Sequence, residues 1–178
     1  MKSEYCIIIP AIKKNGVIPD QLIKKLNGIT LIQRAINTAK EVRGDIYVVT
    51  DSQEISLIAE RNGVKYIYNP QFRIDERNIF NSFRNFLQEL QQYENFLIYR
   101  ANTPLVDSDI LISAYREFLE NREKILISVR EEKRFAYLKD KDRKYIRTEK
   151  NLFSEINSFI ITSSKNLFSN SIGVPNGN

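Results

Sequence analysis

Two kinds of hydrophobic spacing alternate along this chain. Short apolar runs, which are typical of buried strands, occur at 5–9, 45–50, 64–68, 95–100, 124–129 and 156–162. Between most of these runs apolar residues recur every three or four positions, which predicts amphipathic helices near 32–39, 53–59, 79–90 and 107–119. Strands that alternate with helices in this way favour a three-layer α/β domain, in which helices cover both faces of a mostly parallel sheet.

Polar residues mark the boundaries of these elements. Asn27-Gly28 predicts a turn before the first helix. Asp51 precedes Glu54 by three residues, which is the capping-box pattern, so Asp51 is predicted to cap the second helix. Asp107 is predicted to cap the fourth helix in the same position.

The pattern changes near the end of the chain. From 134 to 150 aromatic and charged residues alternate, which predicts a polar hairpin that projects from the sheet, either as a solvated hairpin or as an arm in a dimer. The turn-rich segment 163–178 is expected to be a mobile tail. At 178 residues and 42% hydrophobic, the chain is long enough to bury one sizeable core, so we expect a single domain over 1–178.

Composition excludes several kinds of chemistry. The chain has no histidine, which removes the usual general base, the serine triad and most zinc sites. Its one cysteine, Cys6, lies in the first apolar run, so we interpret it as a core residue in a reducing compartment. No apolar run approaches the roughly 20 residues that span a bilayer. Met1–Glu4 leads directly into a strand instead of a signal peptide, so we expect a cytoplasmic protein without a membrane partner.

Charge favours an anionic ligand. The net charge is +5, yet the basic residues are scattered among acidic ones, so a nucleic-acid partner is not expected. The loop 12–19 after the first strand is basic and contains a glycine, and an α/β sheet binds ligands beyond the carboxyl ends of its strands. The loop therefore predicts a phosphate site. Lys13 and Lys14 are its cations, although solvated loop lysines would have the same sequence.

Five segments, in this order and spacing, resemble the CMP-sialic acid synthetase (acylneuraminate cytidylyltransferase) family. They are Ile9-Pro10-Ala11, Gly16-Val17-Ile18-Pro19, Leu26-Asn27-Gly28-Ile29-Thr30-Leu31-Ile32, Val48-Val49-Thr50-Asp51 and Asn102-Thr103-Pro104-Leu105. The resemblance implies a Rossmann-like nucleotidyltransferase fold, here as a divergent or degenerate member. It also implies transfer of CMP from CTP to a sialic-acid-like sugar, with release of pyrophosphate, for the biosynthesis of surface polysaccharide. The turns after the first and the central strand should then share one cleft for the nucleotide.

The resemblance also implies which residues contact the ligands. The nucleotide-binding candidates are Ala11, Ile12, Lys13, Lys14, Asn15, Gly16, Arg77, Asn78, Asn102 and Thr103, and Arg73 lies in the same polar stretch as Arg77. Arg100 and Asn157 are the sugar-binding candidates, although Arg100 has the alternative of a structural ion pair. The chain departs from the family at several positions: Ile12 replaces an arginine, Gly16 a lysine, and Gln21 and Leu22 a Lys-Asn pair.

The family's reaction uses magnesium, so an active enzyme would require Mg²⁺. The family's Asp-x-Asp ligands lie in a later segment that has no counterpart in this sequence, so no metal ligand is predicted. Asp107 and Asp109 have the Asp-x-Asp spacing that a glycosyltransferase would need, but they lie at a predicted helix start, where aspartates cap the backbone.

Two functions therefore remain open. The first is a CTP-dependent cytidylyltransferase with an acidic sugar as its second substrate. The alternative is a degenerate nucleotidyltransferase-fold protein that binds a nucleotide, a sugar or a protein partner without turnover. The retained loops favour the first, and the lost arginine, lysines and carboxylates favour the second.

Overall fold

The structure is a computed structural model that describes residues 5–14, 18–75, 78–86, 90–122, 124–139 and 145–168. Its strands are β1 (Tyr5–Ala11), β2 (Lys25–Leu26), β3 (Ile29–Thr30), β4 (Asp45–Thr50), β5 (Lys65–Tyr68), β6 (Asn95–Tyr99), β7 (Leu126–Lys139) and β8 (Tyr145–Ser163). Its α-helices are α1 (Leu31–Val42), α2 (Gln53–Arg61), α3 (Ser108–Glu120) and α4 (Ser164–Phe168). Two 3₁₀ segments, Gln21–Ile23 and Ile79–Phe86, complete the described elements.

Six of the strands form one mostly parallel sheet. Their order in the described part of the chain is β5-β4-β1-β6-β8-β7, and β2 pairs with β3 in a separate small hairpin. The pairs β5/β4, β4/β1 and β1/β6 are parallel, whereas β8 runs antiparallel to both β6 and β7. The predicted α/β class, with a mostly parallel sheet, is confirmed.

The sheet separates two hydrophobic cores. Successive side chains of a strand point to opposite faces, so Ile7 and Ile9 of β1 pack with helices α1, α2 and α3, whereas Cys6 and Ile8 pack with the aromatic residues of the 3₁₀ helix Ile79–Phe86. All four of these β1 side chains are completely buried. Burial raises the pKa of the Cys6 thiol, which agrees with a core residue and not with a nucleophile.

The third predicted helix is a 3₁₀ helix over Ile79–Phe86 instead of an α-helix over 79–90. Phe80, Phe83 and Phe86 are buried at intervals of three residues. A 3₁₀ helix has three residues per turn, so these three rings face the sheet together. Apolar spacing of three residues is compatible with both helix types, and packing against the sheet decides between them.

The predicted hairpin is longer than its sequence pattern indicated. Strands β7 and β8 pair from Leu126 to Lys139, where Lys139 lies opposite Tyr145, while β6 pairs only with residues 159–163 among the described part of β8. The hairpin therefore projects beyond the carboxyl end of β6. Its turn, 140–144, lies outside the described residues.

Part of the predicted mobile tail packs against the sheet. Residues 164–168 form α4, Leu167 is buried, and the ring of Phe168 lies 5.7 Å from that of Phe96 in an edge-on contact. The apolar pair Leu167 and Phe168 accounts for this packing, and the mobility of the tail 163–178 stays a prediction. Residues 169–178 lie outside the described part. None of the helices that the structure describes is long and apolar enough to cross a membrane.

Of the two helix caps predicted from the sequence, the one at Asp107 is present in the structure. The Asp107 carboxylate accepts a hydrogen bond from the backbone N–H of Ile110 (2.9 Å), so Asp107 caps α3 as predicted. Thr30 caps α1 through the N–H of Gln33. Asn27 and Gly28 both have positive φ angles in the turn between β2 and β3, which is the geometry that a two-residue hairpin turn requires.

We expect Asp107→Ala to lower the free energy of unfolding by about 1 kcal/mol, because the mutation removes the side-chain acceptor at the start of α3. Asp107→Ser is the matched control, since serine is also a good capping residue and should retain most of the stability. Urea denaturation followed by circular dichroism measures both. Equal stabilities for the alanine and serine variants would contradict the cap.

Candidate functional site

A cleft of about 230 Å³ opens where β1 and β6 end. Its described lining comes from four segments of the chain: Pro10, Ile12, Lys14, Gln21, Leu22, Arg73, Ile74, Arg100, Ala101 and Asn102. Because β1 and β6 are parallel neighbours, their carboxyl ends lie at the same edge of the sheet. The prediction that the turns after these two strands share one cleft is confirmed.

The charged residues in the described lining of the cleft are all positive. Lys14, Arg73 and Arg100 are cations, Gln21 and Asn102 supply amides, and no carboxylate is among the described residues that line the cleft. Each cation comes from a different loop. A cavity with such a lining suits a ligand that carries several negative charges, and guanidinium groups bind phosphate or carboxylate oxygens in pairs.

Lys13 and Lys14 point to different places. The ammonium of Lys13 lies 2.7 Å from a carboxylate oxygen of Glu54 in α2, and this hydrogen bond raises the pKa of Lys13. Lys14, by contrast, lines the cleft. Adjacent side chains of an extended segment face opposite sides, so the structure assigns Lys14 and not Lys13 to the cleft. Ala11 is buried at the end of β1, and Asn15 and Gly16 lie outside the described residues.

Asp51 does not cap α2. The cap is Ser52, whose hydroxyl accepts the N–H of Ile55. The Asp51 carboxylate is instead fully buried and accepts the backbone N–H of Lys13 at 2.7 Å, while its other oxygen lies 3.7 Å from a guanidinium nitrogen of Arg73. The capping prediction was wrong because Asp51 follows the last residue of β4 and faces the neighbouring loop, which leaves Ser52 at the helix start.

The turn after β6 is held by its own backbone. The N–H of Arg100 donates to the carbonyl of Ser158 in β8 (2.9 Å). The hydroxyl of Thr103 donates to the carbonyl of Arg100 (2.7 Å), so Thr103 closes the turn and is not among the residues that line the cleft. Asn102, at the tip, is exposed and does line it. Arg100 is partly buried in the cleft wall.

Two further candidates, Asn78 and Asn157, lie outside the cleft lining. Asn78 accepts the N–H of Phe80 with its side chain and lies at the start of the 3₁₀ helix Ile79–Phe86. Asn157 has a positive φ angle of 49° at an irregularity between β7 and β8. Neither side chain belongs to the cleft lining, and Arg77 lies outside the described residues.

The irregularity at Asn157 is stabilised by one hydroxyl. The buried Ser128 of β7 accepts the backbone N–H groups of both Ser158 (2.9 Å) and Phe159 (3.2 Å). Ser158 in turn accepts the N–H of Arg100. Ser128 therefore connects the base of the projecting hairpin to the turn that carries Arg100 and Asn102.

Sequence reasoning missed part of the cleft. Gln21 and Ile74 were not among the candidates, although Gln21 occupies a position where the resembling family has a cation. The family's cation at that position was the sequence signal that could have identified Gln21 as a residue of the cleft. Ile74 carries no chemical signal in the sequence, because its place depends on how the segment after β5 folds back over the sheet.

The described residues do not fit a magnesium site. They contain no group of three carboxylate, cysteine or histidine side chains close enough to hold a metal ion. Asp51 is beside the cleft loops, but one of its oxygens accepts an amide N–H and the other faces the guanidinium of Arg73. Magnesium needs carboxylate oxygens that are open to it, so no protein ligand is assigned.

The sequence was compared with known families. A family model described as the MobA-like NTP transferase domain matches residues 16–166. The chain belongs to the MobA-like NTP transferase domain family. The match contains three of the four segments that line the cleft, whereas the segment with Pro10, Ile12 and Lys14 precedes it.

A curated relative comes from Campylobacter jejuni. Its pseudaminic acid cytidylyltransferase is 27% identical to this chain over 155 residues, which are 80% of the chain and 67% of that protein. The enzyme from a second strain of the same species gives the same values. The resemblance to cytidylyltransferases that the motifs indicated is confirmed, with this chain as a divergent member.

Solved structures show the same fold. A CMP:2-keto-3-deoxy-manno-octonic acid synthetase complexed with CTP superposes with a TM-score of 0.67 at 13% identity, over 93% of this chain and 76% of that one. A 4-diphosphocytidyl-2C-methyl-D-erythritol synthase from Anaerococcus prevotii gives a TM-score of 0.65 at 16% identity, over 97% of this chain and 80% of that one. The fold is therefore the Rossmann-like nucleotidyltransferase fold that the sequence predicted.

We expect Ser128→Ala to lower the free energy of unfolding by about 1–3 kcal/mol, because two buried N–H groups lose their shared acceptor. The exposed Ser113 of α3 provides the matched control, and Ser113→Ala should leave stability unchanged or slightly higher. Urea denaturation measures both variants. If the two variants were equally stable, the Ser128 hydroxyl would not be what holds this part of β8.

Proposed function

We propose that this chain transfers CMP from CTP to an acidic sugar and releases pyrophosphate. The observation that carries the proposal is the cleft at the ends of β1 and β6, into which three loops bring Lys14, Arg73 and Arg100. The family match supports nucleotidyl transfer in general. Two of the similar proteins, a pseudaminic acid cytidylyltransferase and a synthetase complexed with CTP, support cytidine as the base.

The proposed reaction is a displacement at phosphorus. A hydroxyl oxygen of the sugar attacks the α-phosphorus of CTP, a new P–O bond forms, and the hydroxyl proton passes to solvent. The bond from the α-phosphorus to the oxygen shared with the β-phosphate breaks, so that pyrophosphate leaves with that electron pair. Such a reaction needs positioning and stabilisation of negative charge more than covalent help from the protein. Lys14, Arg73 and Arg100 would provide that stabilisation around the triphosphate.

The second substrate is proposed from charge. Pseudaminic acid and 2-keto-3-deoxy-manno-octonic acid, which the relatives' names contain, are both acids. Arg100 lies at the end of the cleft nearest the projecting hairpin, where its backbone contacts Ser158. A guanidinium there suits a carboxylate, and Asn157 lies one residue away from Ser158. Arg100 and Asn157 therefore stay our candidates for the sugar.

A degenerate binder is the second proposal. It is favoured by Ile12, which stands in the cleft where the resembling family has an arginine, and by the lack of a carboxylate group for magnesium among the described residues. In that case CTP would bind without being consumed.

The homodimer arm at 134–150 and the cytoplasmic location also stay predictions.

The two proposals differ in one measurement. Pyrophosphate release is followed with CTP, magnesium and either pseudaminic acid, 2-keto-3-deoxy-manno-octonic acid or a neutral hexose, beside a thermal-shift titration with CTP and ATP. We expect CTP to raise the melting temperature more than ATP does, because a ligand stabilises the state that it binds. Release with an acidic sugar supports the transferase, and stabilisation without release supports the binder. No shift with any nucleotide would contradict both.

Lys14 tests whether this cleft is where the nucleotide binds. We expect Lys14→Ala to weaken CTP binding roughly tenfold, because a charged hydrogen bond to a phosphate contributes about 1.5–3 kcal/mol and this side chain is partly solvated. Lys124→Ala is the matched control, since Lys124 is also an exposed lysine but lies before β7 and outside the cleft lining. Calorimetric titration measures both. Equal losses in the two variants would indicate only a general effect of net charge.

A further inference from the structure

We infer that Asp51 is a positioning residue for this cleft, an inference that rests on the proposed binding of a nucleotide there. Its carboxylate holds the loop that carries Lys14 on one side and the guanidinium of Arg73 on the other. Asp51 touches neither the cleft nor a ligand directly. It acts through these two neighbours.

The first observation is the burial of Asp51. Its side chain has 0% exposure, and one oxygen accepts the N–H of Lys13 at 2.7 Å. The other oxygen accepts no hydrogen bond from the described residues and lies 3.7 Å from Nη1 of Arg73. That distance is too long for a hydrogen bond but within reach of ion pairing. A buried carboxylate is costly without such partners.

The second observation is the place of Asp51 in the sheet. It directly follows β4, and β4 lies between β1 and β5. The loop with Lys13 and Lys14 follows β1, and the segment with Arg73 follows β5. One carboxylate therefore stands between the two segments that form one side of the cleft.

The third observation is how each neighbour is held. Lys13 is fixed twice, since its N–H donates to Asp51 and its ammonium pairs with Glu54, and this leaves Lys14 directed to the cleft. Arg73 donates from Nη1 to the carbonyl of Phe72 at 2.6 Å, and its side chain is 57% exposed at the cleft. Its guanidinium is oriented from behind by Asp51 while much of it stays accessible.

The sign of a mutational effect separates positioning from simple electrostatics. Asp51 carries a negative charge beside a cationic cleft, so its removal should strengthen anion binding if charge alone matters. If Asp51 holds Arg73 in place, the same mutation should weaken binding, because the ligand must then order this side chain itself.

The decisive variant is Asp51→Asn. Asparagine retains an oxygen for the N–H of Lys13 but places no charge near Arg73. We expect the Kd for CTP to rise roughly tenfold, about 1.4 kcal/mol. Glu60→Gln is the matched control, because it removes the same charge from an exposed residue at the opposite end of α2 from Asp51, and it should leave CTP binding unchanged or slightly stronger. An Asp51→Asn variant that binds CTP as well as the wild type, or better, would overturn the inference.

A double-mutant cycle tests whether Asp51 acts through Arg73. If it does, the double variant Asp51→Asn with Arg73→Ala should bind CTP no more weakly than Arg73→Ala alone, because the guanidinium that Asp51 orients is already gone. If the losses of CTP affinity in the two single variants added fully in the double variant, the inference that Asp51 acts through Arg73 would be overturned.

A ligand-free measurement tests the loop. Hydrogen exchange of the Lys13 amide, observed by NMR, should be faster in Asp51→Ala, which lacks the acceptor, and near the wild-type rate in Asp51→Asn. Equal rates in the wild type and Asp51→Ala would overturn the role in the loop. NMR follows the exchange of each amide separately. Global unfolding of Asp51→Ala would therefore be recognised, because all amides would then exchange quickly.

Titration with inorganic pyrophosphate separates this inference from the proposed function. If the wild type binds pyrophosphate but not CTP, cytidylyl transfer fails, and the Asp51→Asn effect on pyrophosphate still decides the inference. If the wild type binds CTP and the Asp51→Asn variant is unaffected, only the inference fails. If the wild type binds neither probe, both fail.

Discussion

The parallel pairing of β1 with β4 on one side and with β6 on the other is the constraint on which the cleft depends. β1 pairs with β4 over six residue pairs, from Cys6 opposite Asp45 to Ala11 opposite Thr50, and it pairs with β6 in the same direction. Parallel pairing brings the carboxyl ends of these strands to one edge of the sheet. Loops that are far apart in sequence can therefore supply Lys14, Arg73 and Arg100 to a single small volume.

Burial of the central strands on both faces explains why the sheet could be predicted from the sequence. Strands covered on both faces form continuous apolar runs, and β1 has Cys6 to Ile9 completely buried. Helices α1, α2 and α3 show the spacing of a one-sided apolar face. The predictions of the third helix and of the α2 cap failed because one sequence pattern is compatible with two structures. Residues 79–86 space their aromatic rings by three, which suits a 3₁₀ or an α-helix, and Asp51 and Ser52 both qualify as caps until the end of β4 is known.

The candidate site was predictable only in outline. The rule that ligands lie beyond the carboxyl ends of strands identified the turns after β1 and β6, whereas the choice between Lys13 and Lys14 depended on Glu54, which lies 41 residues after Lys13 in a helix. Thr103 and Asn78 illustrate the converse. Polar side chains next to a turn or a helix start serve the local backbone as readily as a ligand, and in sequence these two uses look alike.

The wall of the cleft is also tied to the projecting hairpin. Ser128 of β7 accepts two N–H groups of β8, and between these groups and the hairpin the backbone of Asn157 takes a positive φ angle. The carbonyl of Ser158 then accepts the N–H of Arg100. A displacement of the hairpin at this point would therefore move the turn that carries Arg100 and Asn102. On the other side of the cleft, Asp51 makes a comparable link between the loops after β1 and β5. Both sides are thus positioned by buried polar groups behind the cleft, while Lys14 and Arg73 in the cleft lining stay exposed.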